Sequence, residues 1–464
     1  MLLLVLLCAA QFMLILDITV VNVALPSIQT EVGIATGHLQ WLVTAYTLAF
    51  GGLLLLGGRA ADLFGRRRMF LAGLAVFTAG SLAAAMAGTA GPLIAARAVQ
   101  GVGAALLSPA ALSLVTTAFP EGRERHRALA AWAAVAASGG AVGVLVGGLL
   151  TETLGWEAIF FINVPVGLAV AMGARWLVPV AGRRVDAVGA LLATGSLLAL
   201  IYGLVEAGTA GWTAPLPLGL FALAVAGFAG FVAVERSVPD PLVPLSIFRR
   251  RPTVTALVLM ILGMGPVFSG FFFSSLYLQQ VLDYPALRTG LALLPVAVAI
   301  VAAAHAGGAL ISRLGPKPVI ATGLAIGAAG ALLLSRLTPD GGYLTGVLPG
   351  FLLLGVGGGL AAAGVMVTAL AGAGQRDAGV VSGLANTTHE LSIALVLPVL
   401  ATIAAGRLGA AALAGAAPAD PGLLTAGIGD AFLAAAAIAL GGALLAVAAL
   451  RRTDVAATDR LPVH

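Results

Sequence analysis

Residues 58–68 read GRAADLFGRRR, a charged run held between two apolar stretches at about 39–58 and 69–89. Each stretch is about 20 residues long, the length that carries a helix across a hydrocarbon layer of about 30 Å. Gly58 and Gly65 suit a tight turn between two such helices, and Asp62 with Arg59, Arg66, Arg67 and Arg68 puts charge at their ends. A helix–charged turn–helix unit of this kind makes the chain a membrane protein. The alternation recurs on both sides of it.

Earlier and later apolar stretches lie at about 2–25, 92–118, 128–151, 158–179, 187–206 and 216–234. Six more follow at about 252–277, 289–312, 318–337, 344–371, 380–405 and 430–450, which makes fourteen spans in all. Composition agrees: 60% of the 464 residues are hydrophobic and 9% charged, against about 25% charged in soluble domains. Mean hydropathy is +1.07. The 62 glycines suit close helix packing in lipid. No ten-residue alternation with a polar face is present, so an outer-membrane barrel is excluded. The class expected is all-α, a polytopic membrane protein. The apolar start, with Cys8 in it, is not read as a signal peptide, because it lacks a basic leader and Asp17 interrupts it.

The net charge of +5 sits in short interhelical loops, where membrane topology accounts for it and nucleic acid is not implied. Counted alternately, the loops place 19 of the 24 basic residues on one side and three on the other. Both termini are therefore expected in the cytoplasm. The single cysteine excludes a disulfide framework.

The chain also repeats itself. Residues 58–67, GRAADLFGRR, match residues 308–317, GALISRLGPK, in the spacing of Gly58 with Gly308, Gly65 with Gly315 and Arg67 with Lys317. Gly101-Val102-Gly103 returns as Gly355-Val356-Gly357. Two repeated halves with a site between them near the midplane are a common transporter plan. The expected division is a six-helix bundle at 1–180, an inserted helix pair at 181–251, a second six-helix bundle at 252–450 and a tail at 451–464.

Several runs carry a family likeness. The run at 58–68 resembles the signature loop of the major facilitator superfamily. Residues 16–26, LDITVVNVALP, look like the first-helix motif of its fourteen-helix drug/proton antiporters. Residues 97–105, RAVQGVGAA, are similar to the intramembrane arginine motif, and FFINVPVG at 160–167 and YLQQ at 277–280 share the family's look. The resemblance covers nearly the whole chain. It implies a proton-driven exporter of drugs or other small hydrophobic or cationic molecules, in the inner membrane of a bacterium. It further implies a cytoplasmic latch made by Gly58, Asp62, Gly65, Arg66 and Arg67, and a glycine-lined bend in the fifth helix at Gly139, Gly143, Gly147 and Gly148. Three positions depart from the pattern: Val144 where proline is expected, Trp156-Glu157 in place of Trp-Arg, and His389-Glu390 where Arg-Gln is common.

Physics ranks the intramembrane charges without the family. A charge at mid-bilayer is costly and marks function by default. Asp17, about eight residues from the outer end of its span, and Arg97, about six from the outer end of its own, come to similar depth at 1.5 Å per residue. Asp17, Arg97 and Glu390 are the candidates for proton coupling; Asp17 as a purely structural partner of Arg97 is the plainer reading. Ser382, Asn386 and Glu390 recur every four residues and share a helix face. With Asn22, Gln100, Asn386 and His389, Glu390 is expected to line the substrate cavity, unless that stripe is interhelical glue. No nucleophile–base pair, metal cluster or phosphate-binding loop is visible, so no enzyme activity, cofactor or metal is expected. The partners expected are a small-molecule substrate, protons and lipid, with the chain acting as a monomer. The rival functions are export of one defined metabolite and a non-transporting receptor or assembly role.

Overall fold

The computed structural model describes residues 2–35, 38–119, 123–174, 187–238, 243–371, 375–407 and 420–450. The described residues form helices joined by short turns, with no strand. In chain order these are α1 (Leu2–Val32), α2 (Trp41–Phe64), α3 (Arg66–Ala85), α4 (Ala90–Ala118), α5 (Arg123–Leu154), α6 (Ala158–Phe161), α7 (Asn163–Gly173), α8 (Ala187–Ala210) and α9 (Pro215–Ser237). They continue with α10 (Arg251–Gln280), α11 (Ala286–Leu314), α12 (Pro316–Leu334), α13 (Leu348–Leu370), α14 (Gln375–Ala405) and α15 (Pro421–Ala449). Eleven helices among the described residues are long and apolar enough to cross a membrane. Shorter apolar helical stretches cover Trp41–Leu54, Ser138–Leu154 and Ala158–Gly173. The boundary expected at 180/181 and the tail at 451–464 lie outside the described residues.

Helix ends depart from the sequence expectation for identifiable reasons. The first span, expected to stop by residue 25, runs on through Pro26 to Val32. Proline is tolerated inside a membrane helix because side chains and neighbours satisfy the freed backbone groups. The run at 58–68 is not a loop. Residues 58–64 close α2, Gly65 alone makes the joint at φ 93°, and Arg66 opens α3. Gly315 makes the corresponding joint between α11 and α12 at φ 79°. Both angles lie where a Cβ is sterically penalised, so glycine is required at each. Charged side chains reach water from an interfacial helical turn as easily as from a loop, which is why the extra turn forms.

The chain gathers into two compact units, residues 1–203, 215–242 and 284–294 in the first, and 204–214, 243–283 and 295–464 in the second. In the first, Leu14, Phe50, Phe77 and Leu107 belong to a buried cluster shared by α1, α2, α3 and α4. In the second, α10, α12, α13, α14 and α15 pack together, with Phe273 against Phe432 and Phe271 against Phe351. Large apolar side chains elsewhere face outward, Val225 at 70% exposure and Met172 at 68%, as lipid-facing helices require.

The sequence repeat is a packing repeat. A Cβ on Gly73 of α3 would lie 2.6 Å from Leu107 N and 2.8 Å from Gly103 O, and one on Gly103 2.4 Å from Phe77 N. In the second unit a Cβ on Gly323 of α12 would meet Ala361 N and Gly357 O, each at 2.9 Å, and one on Gly357 would lie 2.4 Å from Gly327 N. The second set is the first displaced by 250 residues on one helix and 254 on the other. Because lipid supplies no hydrophobic drive between helices, such backbone approach is what holds them. Gly357→Ala and Gly103→Ala should therefore each lower stability in detergent by about 1–3 kcal/mol. Gly441→Ala, with open space beside it, should be neutral; thermal unfolding of the three variants checks this, and equal midpoints would refute it.

Candidate functional site: two buried acids at helix centres

α1 and α14 are each 31 residues long, and each carries an acid as its sixteenth residue, Asp17 and Glu390. Fifteen residues on either side correspond to about 22 Å of helix. Asp17 is thus deeper along its helix than the eight residues from an end that the sequence suggests, because α1 continues past Pro26.

Asp17 is fully buried and accepts three hydrogen bonds. Arg97 Nη1 donates to Oδ2 at 2.5 Å, while Gln100 Nε2 and Asn163 Nδ2 donate to Oδ1 at 2.9 and 2.8 Å. Arg97, 1% exposed, also donates from Nε to the Leu42 carbonyl and from Nη1 to Gln100 Oε1, each at 2.9 Å. Its guanidinium lies over the Tyr46 ring at 4.4 Å and the Phe160 ring at 5.7 Å, contacts in which a buried cation gains from the ring quadrupole. Ser81 accepts from Gln100 Nε2 at 2.8 Å and from Asn163 Nδ2 at 3.3 Å, and itself donates to the Phe77 carbonyl at 2.9 Å. The network joins α1, α2, α3, α4 and α7, with the α6 ring beside it. A buried ion pair repays its desolvation only when the remaining donors and acceptors are also matched, and this one is closely matched.

Gln100, expected to line the cavity, is instead inside the network with both amide atoms engaged. Asn22 is 9% exposed and donates back to the Ile18 carbonyl. Ser81, Asn163 and the Leu42 carbonyl were not singled out by sequence reasoning. Asn163 stands inside the run at 160–167 noted for its family look, where a lone amide in an apolar stretch was the available signal. A backbone carbonyl leaves no signal at all.

The second acid is set differently. Glu390 is 5% exposed; His389 Nδ1 lies 3.3 Å from its Oε1, and Oε2 has no hydrogen-bond partner among the described residues. The His389 side chain is one-third exposed and its ring meets Phe268 of α10 edge-on at 5.4 Å. The expected stripe divides on folding: Ser382 is half-buried, Asn386 exposed and Glu390 covered.

The latch residues Gly58 and Gly65 fall on α2 and its joint, and Arg66 and Arg67 open α3; the Asp62 side chain lies outside the described residues. The α5 glycines are close-approach positions on one continuous helix. Cβ atoms on Gly139, Gly143 and Gly147 would strike Ile15, Thr19 and Val20 of α1. Gly148 faces Ala286 and Leu287 of α11. Glu152 accepts the Leu287 N–H at 2.9 Å and so caps α11.

Residues 7–397 match the profile of the Major Facilitator Superfamily. The chain is 41% identical to the puromycin resistance protein of Streptomyces alboniger over 88% of its own length and 82% of that protein's. It is 41% identical to the cephamycin export protein of Amycolatopsis lactamdurans over 95% and 91% of the two chains. Identity to the multidrug resistance protein Stp of Mycobacterium tuberculosis is 33%, over 86% and 75%. Among solved structures, the POT family transporter PepTSo superposes with a TM-score of 0.69 at 16% identity, over 96% of this chain and 97% of that one.

Proposed function

Because the chain belongs to the Major Facilitator Superfamily, we propose that it is a proton-coupled antiporter that exports drugs or other small hydrophobic and cationic molecules. The observation that carries this reading is the matched Asp17–Arg97 network at the centre of α1. Taking a proton on Asp17 would remove the charge that holds Arg97, Gln100 and Asn163 in register, so the proton would bind one arrangement of these helices better than another. A driver that distinguishes two states in this way shifts them. Glu390 is the second site able to take a proton. Asp62 and the arginines of α3 would latch the cytoplasmic side, Asn22, Asn386 and His389 would meet the solute, and the chain would carry out transport rather than bond chemistry. It would work as a monomer in the inner membrane with both termini in the cytoplasm and two six-helix bundles flanking an inserted pair.

A second reading, export of one antibiotic, is favoured by relatives whose names each cite a single compound, puromycin, cephamycin or lincomycin. An efflux-deficient bacterium expressing the wild type or Asp17→Asn separates the two. Raised tolerance to puromycin, lincomycin and ethidium together supports multidrug export, and tolerance to one compound supports the dedicated exporter. Unchanged tolerance to every compound, with the protein present in the membrane, would refute both.

A further inference from the structure

Glu390 and His389 stand where the family pattern has another pair, and the structure separates the two uses a carboxylate at this point could have. An organic cation needs the carboxylate to be reachable by a bulky ammonium or ring nitrogen. Glu390 is 5% exposed, which leaves no room for such a contact. A proton needs only a hydrogen-bonded path. A short path of this kind is in place: the His389 side chain is one-third exposed and turns Nδ1 toward Glu390 Oε1 at 3.3 Å. Asn386, three residues earlier on the same helix face, is exposed beside it. Two polar side chains exposed together at the middle of a 31-residue membrane helix face water rather than lipid, where they would be penalised.

Oε2 is the second observation. It is buried and lacks a hydrogen-bond partner among the described residues, whereas both Asp17 oxygens are matched by donors. A buried acceptor left open in this way costs free energy, and the cost is smaller for a neutral acid than for a carboxylate. Among the described residues of the helices packed on α14, α13 carries no titratable side chain and α15 carries Asp430, which is bonded to Arg407. On α10, Arg251 and Tyr277 lie about 26 and 14 Å along the helix from Phe268, the residue that meets His389.

We infer that His389 and Glu390 form a proton-loading dyad, in which the imidazole admits protons from the open side and the buried carboxyl stores them. A proton arriving on Nε2 makes an imidazolium; the Nδ1 proton then passes to Oε1, leaving a neutral acid and a neutral imidazole protonated on Nε2. No other atom changes partner. The organic substrate makes no contact with the Glu390 carboxyl itself. This assignment rests on the proposed proton coupling, and the test keeps the two apart.

Infrared difference spectra of the purified full-length chain, taken between alkaline and acidic buffer, read the site without any substrate. The wild type should gain the C=O stretching band of a protonated buried carboxyl on acidification. Glu390→Gln should lose that band, Glu390→Asp should keep a shifted one, and Asp17→Asn should leave it in place. His389→Gln should keep the band but form it at least roughly tenfold more slowly after a pH jump. Ethidium binding should match wild type in Glu390→Gln. A difference spectrum unchanged in Glu390→Gln would overturn the assignment, as would a tenfold loss of ethidium affinity in that variant. Liposomes in which the wild type exports without proton uptake would instead sink proton coupling, and the infrared result would still decide whether Glu390 is the proton site.

Discussion

Arg97→Ala should cost about 3–5 kcal/mol of stability, the range found when one partner of a buried ion pair is deleted. The structural reason is specific. Asp17 would stay fully buried with its 2.5 Å partner gone, and the Leu42 carbonyl and Gln100 Oε1 would each lose a donor. Arg97→Lys should recover only part of this, because one ammonium cannot reach Leu42 O on α2 and Asp17 on α1 in the geometry that the planar guanidinium spans. A loss of about 3 kcal/mol corresponds to roughly a hundredfold change in an equilibrium, so export by the Ala variant should fall to background. Thermal unfolding in detergent and drug accumulation in cells measure the two effects. Wild-type values for the Ala variant on both would return Arg97 to a dispensable packing role.

Asp17→Asn should separate structure from coupling. The new amide offers one oxygen to Arg97, but its nitrogen would face Gln100 Nε2 and Asn163 Nδ2, both donors at present. The Asn163 amide can turn to present oxygen; Gln100 Oε1 is already held by Arg97. One mismatched polar contact in the interior costs about 1–3 kcal/mol, which leaves a folded chain. Proton-driven export should nonetheless be abolished, because no group at this junction could then gain or lose charge. Full proton-driven export by this variant in liposomes would reduce Asp17 to a structural partner of Arg97.

The contrast between the two acids shows where sequence reasoning reaches. Asp17, Arg97 and Glu390 were visible because charge inside a 20-residue apolar run is rare and expensive. Their states were not visible. Asp17 and Glu390 are both acids at the centres of 31-residue helices, yet one is surrounded by donors and the other has an open oxygen. That difference comes from the donors Arg97, Gln100 and Asn163, which lie 80 to 146 residues away from Asp17 in the chain. Glu152 is a similar case: its carboxylate caps a helix 135 residues further on.

By itself the sequence determined the membrane class, the approximate positions of the eleven long apolar helices among the described residues and the existence of a repeat, because these depend on local composition and on spacing along one chain. It also pointed to a glycine turn near residues 58–65, while the structure put the joint at Gly65 alone, φ 93°, with its counterpart at Gly315, φ 79°. Tertiary structure alone decided that the repeated glycines are contacts between backbones, that Gly139, Gly143 and Gly147 of α5 lie against α1, and that Gln100 sits inside the Asp17 network rather than free to line a cavity. Each of these is a statement about which side chains from distant segments share a few ångströms. Helical periodicity fixes the face a residue occupies on its own helix, and it carries no information about which helix is packed against that face.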